Sequence, residues 1–191
     1  MTVEDVFDSA IEDSITLRRA ASTLSPLVAT AVRKIVESYQ ANGKVLTFGN
    51  GGAAADAQHI VGELVGRFRF ERPALPAIAL GSDASVSTAI GNDYGYSKLF
   101  SRQVEAHGKL GDVAIGISTS GHSPNVIEGL AKARQCGLVT IGMCGADDSD
   151  MLAVSDICIS VQSSDTARIQ ELTMMIGHVI CECVESEIFS K

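Results

Sequence analysis

Basic charge is scarce in this sequence. Fifteen Lys and Arg stand against 23 Asp and Glu, a formal net charge of −8. A polyanion such as nucleic acid, or an anionic membrane surface, therefore meets net repulsion, and any anion the protein binds must be held locally. No apolar run approaches the roughly 20 residues that cross a bilayer. The opening, Met1-Thr2-Val3-Glu4-Asp5, has neither the basic nor the apolar region of a signal peptide, so a cytoplasmic protein is expected. Paired cysteine spacing is also missing. Cys136, Cys144, Cys158, Cys181 and Cys183 form no CxxC or zinc-knuckle pattern, and an odd number does not make a disulfide framework. Reduced core thiols are expected, and Cys181 and Cys183, diverging by about 200° on a helix, do not chelate one ion together. No Pro- or Ser-rich linker, repeat or charge block divides the chain. Its 191 residues suit one domain with a full core, expected over 1–191 as an N-terminal helical arm (1–41) and an α/β core with a C-terminal helix (42–191).

What is present is periodic. Val3, Val6, Phe7, Ala10, Ile11 and Ile15 recur at helical spacing, and after Pro26 so do Val28, Ala31, Val32, Ile35, Val36 and Tyr39. These predict two helices, packed on a second subunit or on the chain's own sheet; the reading favours the second subunit. From Asn42-Gly43 onward short apolar runs alternate with helical stretches: 45–48, 77–80, 113–117, 139–143 and 157–161. Runs of this kind, bounded by Gly, Ser, Asp or Pro and spaced for crossover helices, predict a three-layer αβα sandwich with a five-stranded parallel sheet.

Ligands of such sheets bind at the carboxyl ends of the strands. There the first run hands over to Gly49-Asn50-Gly51-Gly52, where backbone can approach a ligand and helical N–H groups point outward. His59 and Glu63 follow four residues apart on one helical face, with Arg67 one turn further along the same stripe. A solvated polar stripe explains that pair taken by itself. The third run, however, ends in Ser118-Thr119-Ser120-Gly121-His122-Ser123-Pro124-Asn125, whose hydroxyls and N–H groups form a phosphate cradle without lysine, with Ser123 as N-cap and Pro124 as first helical residue. Two such loops at one sheet edge make a site. Neither loop is a Walker A or a GxGxxG motif. Asn92 and Asp93, between glycines, suit a turn or a sugar contact, and spacing favours the turn. The last helix, from about Asp165, shows an apolar face of Ile169, Leu172, Ile176, Val179, Ile180 and Cys183, with Gln170 and His178 within about 80° of each other and two turns apart.

The combination of Gly49-Asn50-Gly51-Gly52, Asp56-Ala57-Gln58-His59, Glu63-Leu64, Gly91-Asn92-Asp93, Gly116 to Gly121, Arg168-Ile169-Gln170-Glu171 and His178 resembles the phosphoheptose isomerase branch of the sugar isomerase (SIS) domain family, over nearly the whole chain. The resemblance implies a homotetramer with active sites at subunit interfaces. It implies conversion of sedoheptulose 7-phosphate to D-glycero-D-manno-heptose 7-phosphate through an enediol(ate), the first step toward nucleotide-heptose for lipopolysaccharide core or related surface glycans. It assigns catalysis to Glu63 and His178, and substrate binding to Asn50, Gly51, Gly52, Glu63, Asn92, Asp93, Ser118, Thr119, Ser120, Ser123 and Gln170. It assigns one zinc per subunit to His59, Glu63, Gln170 and His178, a nitrogen and oxygen set apart from the unusual glutamine.

There are departures. Ala53 stands where many members have serine, Gly62 where some have a second glutamate, and Ala167 where some have aspartate, with Asp165 as a substitute two residues earlier. Two rival readings keep the fold without the reaction: a protein that binds the bacterial replication initiator, or a regulatory domain that senses a sugar phosphate. In the first of these relatives the positions matching Glu63 and His178 carry other residues, and their presence here favours the enzyme.

Overall fold

Short runs of Val, Ile and Ala with no polar alternation bury both faces of each strand, which favours parallel pairing between helical layers. A computed structural model describes residues 1–145 and 149–190. In it β1 (Val45–Gly49), β2 (Ala77–Ala79), β3 (Val113–Ser118), β4 (Val139–Gly145) and β5 (Ile157–Val161) are all parallel, in the order β2-β1-β3-β4-β5. Every strand falls within two residues of the expected run. The helices are α1 (Val3–Ala20), α2 (Ser25–Gln40), α3 (Gly52–Val65), α4 (Ala84–Tyr94), α5 (Leu99–His107), α6 (Pro124–Gln135), α7 (Met151–Val154) and α8 (Thr166–Phe189).

Each face of the sheet carries its own core. On one, Val45, Ile115, Ile141 and Ile159 pack with Ile35 of α2, Ile60 of α3 and Ile176 of α8. On the other, Leu46, Phe48 and Ala114 pack with Phe100 of α5 and Leu130 of α6. This is the αβα sandwich expected from the sequence. Its strand order matters for function: β2 lies on one side of β1 and β3 on the other, so the crevice beyond the carboxyl ends of β1 and β3 is a topological switch point.

The first two helices divide their roles. α2 buries Ala31, Val32, Ile35 and Val36 against the sheet, whereas α1 buries no residue completely. A capping box at Thr2 starts α1, the Ser14 hydroxyl donates to Glu171 Oε2 at 2.6 Å, and Arg168 Nη1 donates to the Ala10 carbonyl at 2.8 Å. Val3, Val6, Phe7 and Ile11 stay exposed.

Four local expectations change. Asn92 and Asp93 lie in the last turn of α4 rather than in a turn, because Asp83 caps that helix by accepting from Val86 N–H and Gly95, at φ +85°, ends it. Arg67 is not on the stripe of α3, which ends at Val65, and its guanidinium faces Glu71 instead. Val179, expected on the buried face of α8, is exposed, since Ile176 and Ile180 take the inward positions around it. Of the five thiols only Cys144 and Cys181 are buried; the other three are half-buried, and none of the five is in a disulfide.

Candidate active site

The two loops expected to bind an anion meet at the switch point. Between them lies a cavity of about 190 Å³ lined by Asn50, Gly52 and Ala53 from the first loop and its helix, by Ser118, Thr119, Ser120 and Ser123 from the second, and by Thr166 and Gln170 of α8. Larger clefts of about 390 and 480 Å³ lie elsewhere, along α1, α2 and α8, and contain none of these hydroxyls. Ser123 occupies the N-cap position of α6 without making a side-chain cap; its hydroxyl pairs with that of Ser118 at 2.9 Å, and Ser118 in turn lies 3.4 Å from Ser120 Oγ. The cap expected of Ser123 is thus exchanged for a hydroxyl cluster at a helix N-terminus, where N–H groups and the helix dipole favour an anion. Ala53, a departure from the serine that the resemblance implies, lines the cavity without a hydroxyl.

Asn50 is held by residues the sequence did not single out. Its Nδ2 donates to Asn125 Oδ1 and its Oδ1 accepts from Asn125 Nδ2, both at 2.8 Å, while the Tyr96 hydroxyl adds a second donor to Asn50 Oδ1 at 2.8 Å. Asn125 is 2% exposed. A buried amide has its donors and acceptors committed, so the Asn50 side chain is fixed in one orientation. Asn125 stood at the end of the quoted serine loop and Tyr96 just past Asn92-Asp93, but no spacing rule links either to Asn50. Asn92 and Asp93 are exposed, bond to each other through Asn92 Nδ2 and Asp93 Oδ1 at 2.7 Å, and do not line the cavity.

From this cavity α3 and α8 run side by side. Ala53, Ala57, Ile60 and Leu64 take the buried face of α3, and Asp56, His59 and Glu63 share the stripe that flanks it. On α8 a Cβ at Gly177 would stand 3.1 Å from Ile60 Cδ1, tight enough that the glycine allows the two helices their approach. The adjacent His178 is thereby brought to α3. His59 Nε2 lies 3.0 Å from Glu63 Oε1 and 3.0 Å from His178 Nε2. Among the described residues, ligand atoms of His59, Glu63 and His178 all fall within 4.8 Å of one another.

That arrangement suits a divalent cation. One imidazole nitrogen carries at most one proton, so His59 Nε2 does not donate to Glu63 and to His178 together, and with the rings deprotonated at these nitrogens three lone pairs converge on one ion. Around tetrahedral zinc, with bonds of about 2.0–2.1 Å, ligand atoms stand roughly 3.3 Å apart, near the two 3.0 Å separations from His59 Nε2, with the third pair within 4.8 Å. Gln170, the fourth expected ligand, sits two turns from His178 along α8 and lines the cavity: a Cβ on Gly52 would collide with its amide, and Asp56 is its neighbour. Burial pushes the Asp56 carboxyl above its ordinary value against the pull of the Gln170 amide and the His59 ring, and Asp56 Oδ2 is buried without a partner. Asp165, the substitute for the aspartate absent at 167, is spent as the N-cap of α8, accepting from Ala167 and Arg168 N–H.

A SIS-domain family model matches residues 12–145. The phosphoheptose isomerase of Aneurinibacillus thermoaerophilus is 48% identical over 190 residues, covering 98% of this chain and 96% of that protein. The chain belongs to the SIS-domain family. The phosphoheptose isomerase of Citrifermentans bemidjiense is 55% identical over 168 residues, 88% of each chain. Among solved structures, a phosphoheptose isomerase from Francisella tularensis superposes with a TM-score of 0.93 at 35% identity, covering 97% of this SIS-domain chain and all of that one. No helix among the described residues is long and apolar enough to cross a membrane.

Proposed function

We propose that this chain is a phosphoheptose isomerase, converting sedoheptulose 7-phosphate to D-glycero-D-manno-heptose 7-phosphate in the cytoplasm, at the head of nucleotide-heptose synthesis for lipopolysaccharide core or a related glycan. The observation that carries this reading is the meeting of one carboxylate and two imidazoles at 3.0 Å contacts, on the same pair of helices that opens into the hydroxyl-lined cavity. The separation suits the substrate. From Gly52 to His59 the helix rises about 10 Å, and an extended chain from phosphorus to C1 of a seven-carbon sugar phosphate spans roughly 10 Å at ~1.2 Å per bond.

The phosphate is held by Ser118, Thr119, Ser120 and Ser123 with the N–H groups of Gly51 and Gly52, and it anchors the reacting end between the catalysts. Asn50 and Gln170, which line the cavity, are assigned to the sugar hydroxyls; the same assignment for Asn92 and Asp93 finds no support within this protomer, where they lie outside the cavity. Glu63 takes the proton from C1 as the C1–C2 double bond forms, and His178 protonates the oxygen on C2. The enediol then loses its O1 proton to His178, C1 becomes the carbonyl, and Glu63 returns a proton to C2. Electrons and protons balance within the sugar, so no redox cofactor is required. His59, Glu63, Gln170 and His178 would hold one zinc per subunit, and lone pairs of Glu63 and His178 given to the ion would compete with their use in proton transfer. When bound, zinc supplies Lewis-acid polarisation of the substrate oxygens.

A homotetramer with sites at subunit interfaces is part of the same reading. It is supported by the exposed apolar residues of α1, Val3, Val6, Phe7 and Ile11, and by the cleft of about 390 Å³ where Val28 of α2 faces Met175 and Val179 of α8. Incubation with sedoheptulose 7-phosphate, followed by NMR, tests the activity: an aldose phosphate is expected, and its absence with folded, zinc-replete protein rejects the reading.

A further inference from the structure

We propose that Phe68 is a positioning residue for His178, held in place by the buried ion pair of Arg72 and Glu185; its bearing on catalysis rests on the isomerase reading above. After α3 the chain runs without regular structure from Gly66 to Pro76. Such a segment ordinarily turns its N–H groups to water. Here Glu185 of α8, 0% exposed, gathers them instead, accepting from Phe68 N–H at 2.8 Å, Arg69 N–H at 2.6 Å, Phe70 N–H at 3.3 Å and Arg72 Nε at 2.9 Å. Arg72 in turn donates to the carbonyls of Glu63 and Leu64, each at 2.7 Å. Both charged side chains are 1% exposed. Burial alone would raise the Glu185 carboxyl, but the three N–H groups and the Arg72 guanidinium outweigh it and hold the group below its ordinary value.

The consequence lies one residue from the clasp. The Phe68 ring stacks on the imidazole of His178, centroids 5.6 Å apart and planes 26° from parallel. The Arg69 guanidinium lies 4.9 Å from the Phe68 centroid and is fixed by Glu182 at 3.0 Å. His178 also meets His59 edge-on, at 5.0 Å and 62°. Its ring is thus bounded by a stacked aromatic and an edge-on imidazole, and rotation about its side-chain torsions sacrifices both contacts. A general acid must keep one nitrogen aimed at the substrate oxygen, and a displacement near 1 Å is enough to slow a reaction by ~100-fold. Phe68 supplies that restraint without touching substrate.

Replacing Glu185 or Arg72 leaves a buried charge unpaired and confounds the result with unfolding, so Phe68 is the residue to vary. Phe68→Leu is expected to lower kcat by about 10- to 100-fold with KM within about twofold, at a melting temperature close to wild type. Phe68→Tyr keeps the stacked ring and restores kcat to within about threefold. The chain has 4 histidines, so the His178 ring protons are assigned by comparison with His178→Gln. Their ring-current shift is expected to be lost in Phe68→Leu and kept in Phe68→Tyr. Wild-type kcat in Phe68→Leu, or equal losses in both variants, overturns the proposal. If wild-type protein fails to isomerise the sugar phosphate, the isomerase reading falls by itself, and the NMR shift decides the placement of Phe68: the same shift in wild type and Phe68→Leu overturns it.

Discussion

His59 Nε2 and His178 Nε2 stand 3.0 Å apart although 119 residues separate them along the chain. With Glu63 Oε1 3.0 Å from the same His59 nitrogen, the cluster joins two consecutive turns of α3 to the middle of α8. The two residues assigned to proton transfer thus share a neighbour within one protomer, and their separate removal gives a first test.

Glu63→Gln keeps the size and the half-buried position of the side chain, so the fold is expected to survive while kcat falls by about 10²- to 10⁴-fold. His178→Gln is expected to behave alike. Turnover assays beside circular dichroism distinguish the cases: a fully active Glu63→Gln protein excludes that carboxylate as the base, and a fully active His178→Gln protein leaves the ring as packing.

Three convergent lone-pair donors predict a metal content near one zinc per chain in purified protein. Chelation should lower the melting temperature, by the equivalent of ~2.7 kcal/mol if free zinc stood at about 100 times its Kd. His59→Ala should abolish the response. Elemental analysis that finds no zinc after zinc-replete purification removes the metal assignment.

Tyr96→Phe deletes one of the donors that orient Asn50 and leaves the ring in place. A single neutral hydrogen bond contributes about 1 kcal/mol, so KM for the sugar phosphate is expected to rise about fivefold with kcat little changed. An unaltered KM would leave Tyr96, in the turn before α5, with no bearing on Asn50.

The clasp at Glu185 makes a prediction about pH. Its carboxyl is held below the ordinary value of 4.5 in the folded protein, so its stabilisation is complete above that value and is lost as pH falls through the lower, folded one. Glu185→Gln, which strands the buried Arg72 charge, is expected to cost about 3–5 kcal/mol at neutral pH. The gap between the two melting curves should then narrow as the solution is taken below about pH 4.5. A gap that stays constant from pH 7 to pH 3 would separate Glu185 from acid unfolding.

The sheet was legible because each strand announces itself locally, as at Ile157–Val161, where an apolar run stands between a Ser-Asp pair and a polar loop and the structure agrees to the residue. The two loops were legible for the same reason, since both follow directly from a strand. Asn92 and Asp93 were misread because glycines on either side imitate a turn, while the Asp83 cap that starts the helix lies nine residues before Asn92. The stripe of α3 was overextended to Arg67 because helical periodicity does not announce where packing stops. Ser123 was placed at the right position and given the wrong partner, because its hydroxyl has a choice between a backbone N–H and Ser118 that only the folded loop resolves.

The sequence by itself determined the αβα layering, the two anion-binding loops and the pairing of His59 with Glu63, all of which depend on residues close together in the chain, where helical and strand periods set direction. Only the tertiary structure decided that His178 meets His59, that Asn125 and Tyr96 clamp Asn50, and that Phe68 stacks on His178. These contacts join elements distant in sequence, and their distances are set by how side chains such as Ile60, and the lack of one at Gly177, fill the space between α3 and α8.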